Sequence, residues 1–258
     1  MPFKLPKFWL KIILNEVDMI RIGLLGYSGR MGQAIANEIA AVHQCQLAGG
    51  VVRTLKPDTT TPSGALLSTN VDDVLAVSDV VIDFTLPEAT TQYARSVAAY
   101  NKPLVCGTTG LNTDTLQVLK QLSAKIPVLY APNTSMSLAA MKQLTSLAAK
   151  LLGDLDYDVA IIDEHHRMKK DSPSGTALAL GKAVQEGNHG SKQPSYAAIR
   201  AGHIVGNHEV IFTGNGETIR LHHSVTDRRI FARGAVQAAV WLHNKPPGYY
   251  SMSDVLGI

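Results

Sequence analysis

From residue 20 to about 131 the chain alternates short apolar runs with segments of helical spacing, and this rhythm restricts the fold more than any other feature. The runs at 20–25, 47–53, 80–84, 103–106 and 127–130 are rich in apolar and β-branched residues and too short for helices. Between them, 33–42, 72–76, 88–100 and 114–125 carry apolar residues at helical periodicity, while 54–69 reads as a loop rich in Thr, Pro and Gly. Apolar strands joined by helices predict a parallel sheet covered on both faces.

After Asn133 the rhythm changes. A long helix at 137–152 precedes a strand at 157–163 and a helix at 178–185. Alternating segments at 197–200, 208–213 and 217–224 then predict an antiparallel or mixed sheet, followed by a helix at 231–242. The expected fold is α/β. A doubly wound, Rossmann-like domain covers 20–133, and an α+β domain built on a mixed sheet covers 134–228. The segment 229–258 is expected to pack back onto the first domain. Residues 1–19 read as an N-terminal extension, with Met19 as an alternative start. The apolar run at 8–14 is broken by Lys11 and is too short to span a membrane.

A 258-residue chain that is 45% hydrophobic can bury a substantial core, and its net charge is only +3. No stripe of Lys/Arg with interleaved aromatics marks a nucleic-acid surface. Cys45 and Cys106 stand far apart, outside any metal-ligand spacing, so neither a disulfide framework nor structural zinc is expected, and a reducing cytoplasm fits.

Two stretches carry chemistry. Gly26-Tyr27-Ser28-Gly29-Arg30-Met31-Gly32 joins the first strand to the first helix, where small residues let backbone N–H groups approach a pyrophosphate. The second strand ends in Val51-Val52-Arg53-Thr54 without the carboxylate that accepts from ribose hydroxyls, and an arginine there suits a 2′-phosphate. NADPH is therefore the expected cofactor. Asp83-Phe84-Thr85, Gly107-Thr108-Thr109-Gly110 and Ala131-Pro132-Asn133 fall at later strand ends, the edge where doubly wound sheets collect ligands.

The second stretch, EHHRMKKDSPSGTA at 164–177, sets two imidazoles and several cations before a helix start. Imidazole moves protons near neutral pH, and the N–H groups of a helix start hold an anion. This combination suggests a site that binds a small acid and protonates it. Asp163 and Glu164 are candidates to orient the imidazoles; Arg167 and Lys170 read as solvated. His203, His208, His222 and His223 read as sheet or interface residues, with the 222–223 pair also able to line a cleft. Neighbouring His165 and His166 make a poor metal pair, and no metal is expected.

The segments GYSGRMG, DFT, GTTG, APNTS, EHHRMKKDSPSGTA and RAGHIVGNH occur in the order seen in the 4-hydroxy-tetrahydrodipicolinate reductases (dihydrodipicolinate reductases) of bacterial lysine biosynthesis. The chain resembles that family from about residue 20 onward. The resemblance implies reduction of a cyclic imine dicarboxylate precursor to tetrahydrodipicolinate with NADPH or NADH, in the diaminopimelate route, by a homotetramer assembled through its C-terminal sheets. It matches His165 to the proton donor and Lys169 to the catalytic lysine. His166, Lys169, Ser174, Gly175 and Thr176 match positions that hold substrate carboxylates, and Arg229 an arginine that closes on the substrate. Gly26 to Met31, Arg53, Gly107 to Thr109 and Ala131 to Thr134 match cofactor contacts. Val52 stands where some members carry an acid, Met168 where some carry histidine, and Thr134 where phenylalanine is frequent. An aspartate- or homoserine-type dehydrogenase shares such a nucleotide domain but not the 164–177 segment. A non-catalytic NADP sensor would need no His165 or Lys169.

Overall fold

The apolar run at 20–25 forms β1 (Ile20–Leu25) in a computed structural model that describes residues 19–55, 61 and 64–258. The N-terminal extension to residue 18 and part of the 54–69 loop lie outside the described residues. β1 pairs in parallel with β2 (Cys45–Val51) on one side and β4 (Val80–Asp83) on the other. β3 (Leu66–Ser68) extends the sheet beyond β2, and β5 (Leu104–Cys106) and β6 (Pro127–Tyr130) extend it beyond β4, all in parallel. With β11 (Gly248–Tyr250) at the far edge the order is β11-β6-β5-β4-β1-β2-β3, so the winding reverses beside β1. The crossover helices are α1 (Arg30–Ala40), α2 (Val71–Val77), α3 (Pro87–Ala99) and α4 (Thr113–Leu122). Val74 and Leu75 of α2, Val97 of α3 and Leu119 of α4 pack on Val81, Leu104 and Val128 of the strands.

The loop expected at 54–69 thus contains a strand, and the chain after the helix expected at 231–242 adds β11 and the helix α8 (Met252–Leu256). Both strands are three residues long and mostly not buried, unlike the equally short β5, so their pairing comes from a neighbouring edge rather than from local pattern. α8 is fixed at its start by Ser251, whose N–H and hydroxyl both donate to Asp254 Oδ2.

The second sheet is mixed, in the order β10-β9-β7-β8. Its strands are β7 (Asp158–His165), β8 (Ser195–Arg200), β9 (Gly206–Thr213) and β10 (Thr218–Val225). β8 runs parallel to β7, while β9 is antiparallel to both β7 and β10. One face is covered by α5 (Met136–Leu152) and α6 (Gly175–Gly187): Leu138 and Met141 of α5 and Leu180 and Val184 of α6 pack on Val159, Ile161, Val210 and Phe212. α7 (Arg229–Leu242) follows β10. The chain divides into two compact units. One comprises residues to Pro132 with Ala235–Tyr249, the other Asn133–Gly234 with Tyr250–Ile258. None of the described helices is long and apolar enough to cross a membrane.

Candidate functional site

In the first unit, parallel pairing sets the C-terminal ends of β1, β4, β5 and β6 along one edge, and the glycine-rich turn begins there. Gly26 has φ +85°, and a Cβ on it would meet Phe84 O at 2.7 Å. A Cβ on Gly32 would meet Gly26 O at 2.2 Å, so the turn packs backbone on backbone. Helix α1 is N-capped by Gly29 without a side-chain hydrogen bond and has no acid in its first turn. Its first N–H groups, from Arg30 and Met31 onward, are therefore open donors at the positive end of the helix dipole. A cleft of about 190 Å³ is lined by Gly26, Ser28, Gly29, Arg53, Thr85 and Tyr93, among others. Val52 is buried, and Arg53 beside it is exposed.

The next strand ends are tied together. Asp83, fully buried, accepts from the Thr85 N–H at 2.9 Å and its hydroxyl at 2.6 Å. Burial pushes its carboxyl above the ordinary range, against those hydrogen bonds. Gly107 donates to Asp83 O, and the Phe84 ring lies where a Cβ of Gly107 would be. Thr108 is buried with its hydroxyl 3.2 Å from the Thr85 N–H, while Thr109 is exposed. Ala131 N–H donates to Cys106 O and leads into exposed Pro132. Burial, then Asp83, pushes the Cys106 thiol up to about 12, which rules it out as a nucleophile near neutral pH.

In the second unit the helix-facing side of the sheet is apolar along most of its length and polar at one end. Val159, Ile161, Asp163 and His165 alternate along β7, and Phe212, Val210, His208 and Gly206 run back along β9. Asp163 pairs with His208 and His208 with His223, so one row across three strands is polar. Asp163 has no exposed surface. Its Oδ2 accepts from Ser174 N–H at 2.7 Å and Arg200 Nη2 at 2.8 Å. Its Oδ1 lies 2.8 Å from His165 Nδ1 and 3.4 Å from His208 Nε2. The 2.8 Å contact is not an aligned hydrogen bond, so Asp163 holds the His165 ring mainly by charge. Burial pushes the Asp163 carboxyl up, but Arg200, Ser174 and His165 together hold it below the ordinary range. Burial lowers His165 against the pull of Asp163, and Lys169 and Arg200 add to the lowering.

Ser174 is the N-cap of α6, its Oγ accepting from Ala177 N–H at 3.2 Å. No acid lies in the first turn, and nothing stands within 4 Å of where a Gly175 Cβ would be. The Gly175 N–H faces the Asp171 carboxylate, and open space lies beside Gly175. Thr176 Oγ1 accepts from Asn133 Nδ2 at 3.4 Å. In the loop before the helix, the Lys169 ammonium is 2.8 Å from Asp171, and Arg200 Nη2 donates to Asp171 O at 2.7 Å. His166 lies just beyond β7, its carbonyl accepting from Lys169 N–H, while Arg167 and Lys170 are exposed. Arg229, at the first position of α7, pairs with Asp227 at 2.6 Å with its side chain largely exposed. The Thr134 hydroxyl is buried and donates to Phe231 O.

His208 and His223, read from the sequence as sheet or interface residues, lie on the buried face beside Asp163, whereas His222 is exposed. Arg200 drew no attention in the sequence, yet its guanidinium braces both Asp163 and the loop. The alternation of His208 with Val210 and Phe212 was the available signal, since it puts the histidine on the core face. Asp163, His165 and His208 bring ligand-type atoms within 4.8 Å of one another. A cation there would oppose the Arg200 guanidinium on the same carboxylate, so the set suits a proton better than a metal.

The family models for the dihydrodipicolinate reductase N-terminus and C-terminus match residues 20–134 and 137–256. A 4-hydroxy-tetrahydrodipicolinate reductase of Zymomonas mobilis is 40% identical, the alignment covering 95% of this chain and 100% of that protein. One from Nitratiruptor sp. is 38% identical over 93% of this chain and its own full length. The solved structure of a dipicolinate-bound dihydrodipicolinate reductase from Paenisporosarcina sp. TG-14 matches with a TM-score of 0.73 at 21% identity, covering 90% of this chain and 97% of that one. A DAP dehydrogenase from C. glutamicum matches at 0.58 and 14% identity over 91% and 93%, so the fold alone serves more than one dehydrogenase. On the two family matches and the full-length relatives, the chain belongs to the dihydrodipicolinate reductase family.

Proposed function

We propose that this protein reduces 4-hydroxy-tetrahydrodipicolinate to tetrahydrodipicolinate with NAD(P)H, in the diaminopimelate route to lysine. The observation that carries the reading is Asp163, one buried carboxylate that holds both His165 and the Ser174 start of α6. It fixes a proton-transfer group against an anion-binding helix start, the pairing a dicarboxylate reduction needs. Gly26 to Met31, Arg53, the Gly107–Thr109 loop and Ala131 to Thr134 would hold the dinucleotide, which supplies the hydride when bound. The reaction takes up one hydride and one proton and releases the 4-hydroxyl as water. His165 provides the proton, while Lys169 and the N–H groups of Gly175 and Thr176 bind carboxylates, joined by His166, Ser174 and Arg229. Lys169 exchanges Asp171 for the substrate in doing so.

The test follows reduced-nicotinamide absorbance when the aldehyde–pyruvate condensation product is added to protein and NADPH. Substrate-dependent oxidation is expected, and a protein that binds NADPH without oxidising it is a sensor instead. Lys169→Ala should raise substrate KM and lower kcat by about tenfold each, because the lost charged hydrogen bond holds the bound substrate and strengthens further as charge develops in the transition state.

NADPH is the preferred cofactor on this reading, with NADH used as well, because Arg53 lines the cleft and no acid precedes it. Arg53→Ala should raise the NADPH KM about tenfold and leave that for NADH within about twofold; equal changes would show that Arg53 does not read the 2′-phosphate. The outer face of the second sheet supports a homotetramer, since Ile162, Ile199 and Ile211 there are only partly covered within one chain.

A further inference from the structure

We infer that His208 is a positioning residue whose Nε2–H, given to Ser174 Oγ, frees the Ser174 hydroxyl to donate to the substrate carboxylate. The inference rests on the reading of Ser174 as a substrate ligand. His208 Nε2 lies 3.4 Å from Asp163 Oδ1 and 3.3 Å from Ser174 Oγ. Oδ1 has no aligned hydrogen-bond partner, but its negative charge beside Nε2 favours a proton on that nitrogen rather than a lone pair. Asp163 is held ionised by Arg200 and Ser174 N–H, and burial keeps His208 neutral, lowered to about 4. The opposite tautomer would bury an Nδ1–H with no acceptor, whereas the Nε2–H form leaves only an unused lone pair at that atom.

The count at Ser174 then closes. Its Oγ accepts from Ala177 N–H and from His208 Nε2–H, which uses both lone pairs. The hydroxyl is thereby kept a donor: its hydrogen serves the Asp163 carboxylate and can turn to an anion at the helix start, beside the open space at Gly175. The His208 ring also stands edge-on to His165, with centroids 5.1 Å apart, and stacks on His223 at 6.4 Å. His223 is held in turn by Ser137 at 3.0 Å. The packed row fixes where Nε2 points.

The experiment measures dipicolinate and NADPH affinity, with substrate KM and kcat, for the native protein, His208→Phe, His208→Gln, Ser174→Ala and the Phe/Ala double variant. His208→Phe keeps a flat ring without the donor and should weaken dipicolinate and raise substrate KM about tenfold, with NADPH affinity unchanged. Glutamine can place an amide N–H where Nε2 lies and should recover to within about threefold. Ser174→Ala should lose about as much as His208→Phe, and the double variant no more than either, because both remove the same hydrogen bond. Native dipicolinate affinity in His208→Phe, or fully multiplicative losses in the double variant, would overturn the inference. Should His208→Phe lose NADPH binding through misfolding, His208→Asn, whose amide cannot reach the Nε2 position, replaces it; equal losses in the Asn and Gln variants are then decisive against the inference. A native protein that neither binds dipicolinate nor oxidises NADPH with substrate removes the proposed function itself, and this inference with it.

Discussion

A His165→Gln variant should turn over about 10²–10⁴ times more slowly than the native protein, the usual worth of a general acid, while substrate KM and NADPH affinity change little. Glutamine keeps much of the ring's volume and a hydrogen-bonding end, so packing at the polar end of the sheet survives, but it cannot deliver a proton. The pH profile separates this from a packing defect. In the ligand-free protein burial holds His165 below the ordinary imidazole range, with Lys169 and Arg200 adding to the lowering and Asp163 opposing it. Binding a dicarboxylate adds negative charge, which favours the imidazolium. Activity of the native protein should therefore fall as pH rises, and the fall should come at lower pH in kcat/KM, which reports the free protein, than in kcat. Both limbs should vanish in His165→Gln. Full turnover in the variant, or an unchanged alkaline limb, would show that another group supplies the proton.

Much of the fold is local and so was readable. The central strands β1, β4, β5 and β6 are largely buried on both faces and carry their own signal, and the reversal beside β1 is compatible with right-handed crossovers. β3 and β11 escaped because they are short and mostly not buried, so no apolar run marks them, whereas the equally short β5 is buried throughout. The site divides along the same line. His165, Lys169 and Ser174-Gly175-Thr176 sit within one stretch of chain, so chemistry and spacing point to them together. Arg200 and His208 reach the site through sheet register, from strands that follow it by several turns of chain. Each looks ordinary in its own segment; only the pairing of β7 with β8 and β9 gives them Asp163 as a partner. Asp163 itself was legible as an orienting residue beside the imidazoles, but not as the atom on which the arginine, the helix cap and both buried histidines converge.

That convergence makes Asp163→Asn the most damaging isosteric change the structure offers, expected to lower both activity and stability. Asparagine can still accept from Ser174 N–H and Arg200 through its oxygen, which turns its NH₂ toward His165 Nδ1 and His208 Nε2. A donor facing Nδ1 selects the tautomer with the proton on Nε2 and opposes the imidazolium, and kcat should fall about 10³–10⁴-fold, as when an aspartate–histidine pair is broken elsewhere. The Arg200 guanidinium, only 16% exposed, loses its counter-charge at the same time. Removing one partner of such a buried pair costs about 3–5 kcal/mol. Because Asp163 is held below its ordinary pKa, its contribution to native stability is full above the unfolded carboxyl range and is lost as pH falls through the depressed folded value. Urea unfolding of the native protein should accordingly show a loss of stability on acidification that Asp163→Asn lacks. If the two proteins differ by a constant amount at every acidic pH, the buried carboxylate is not the charge that braces the site.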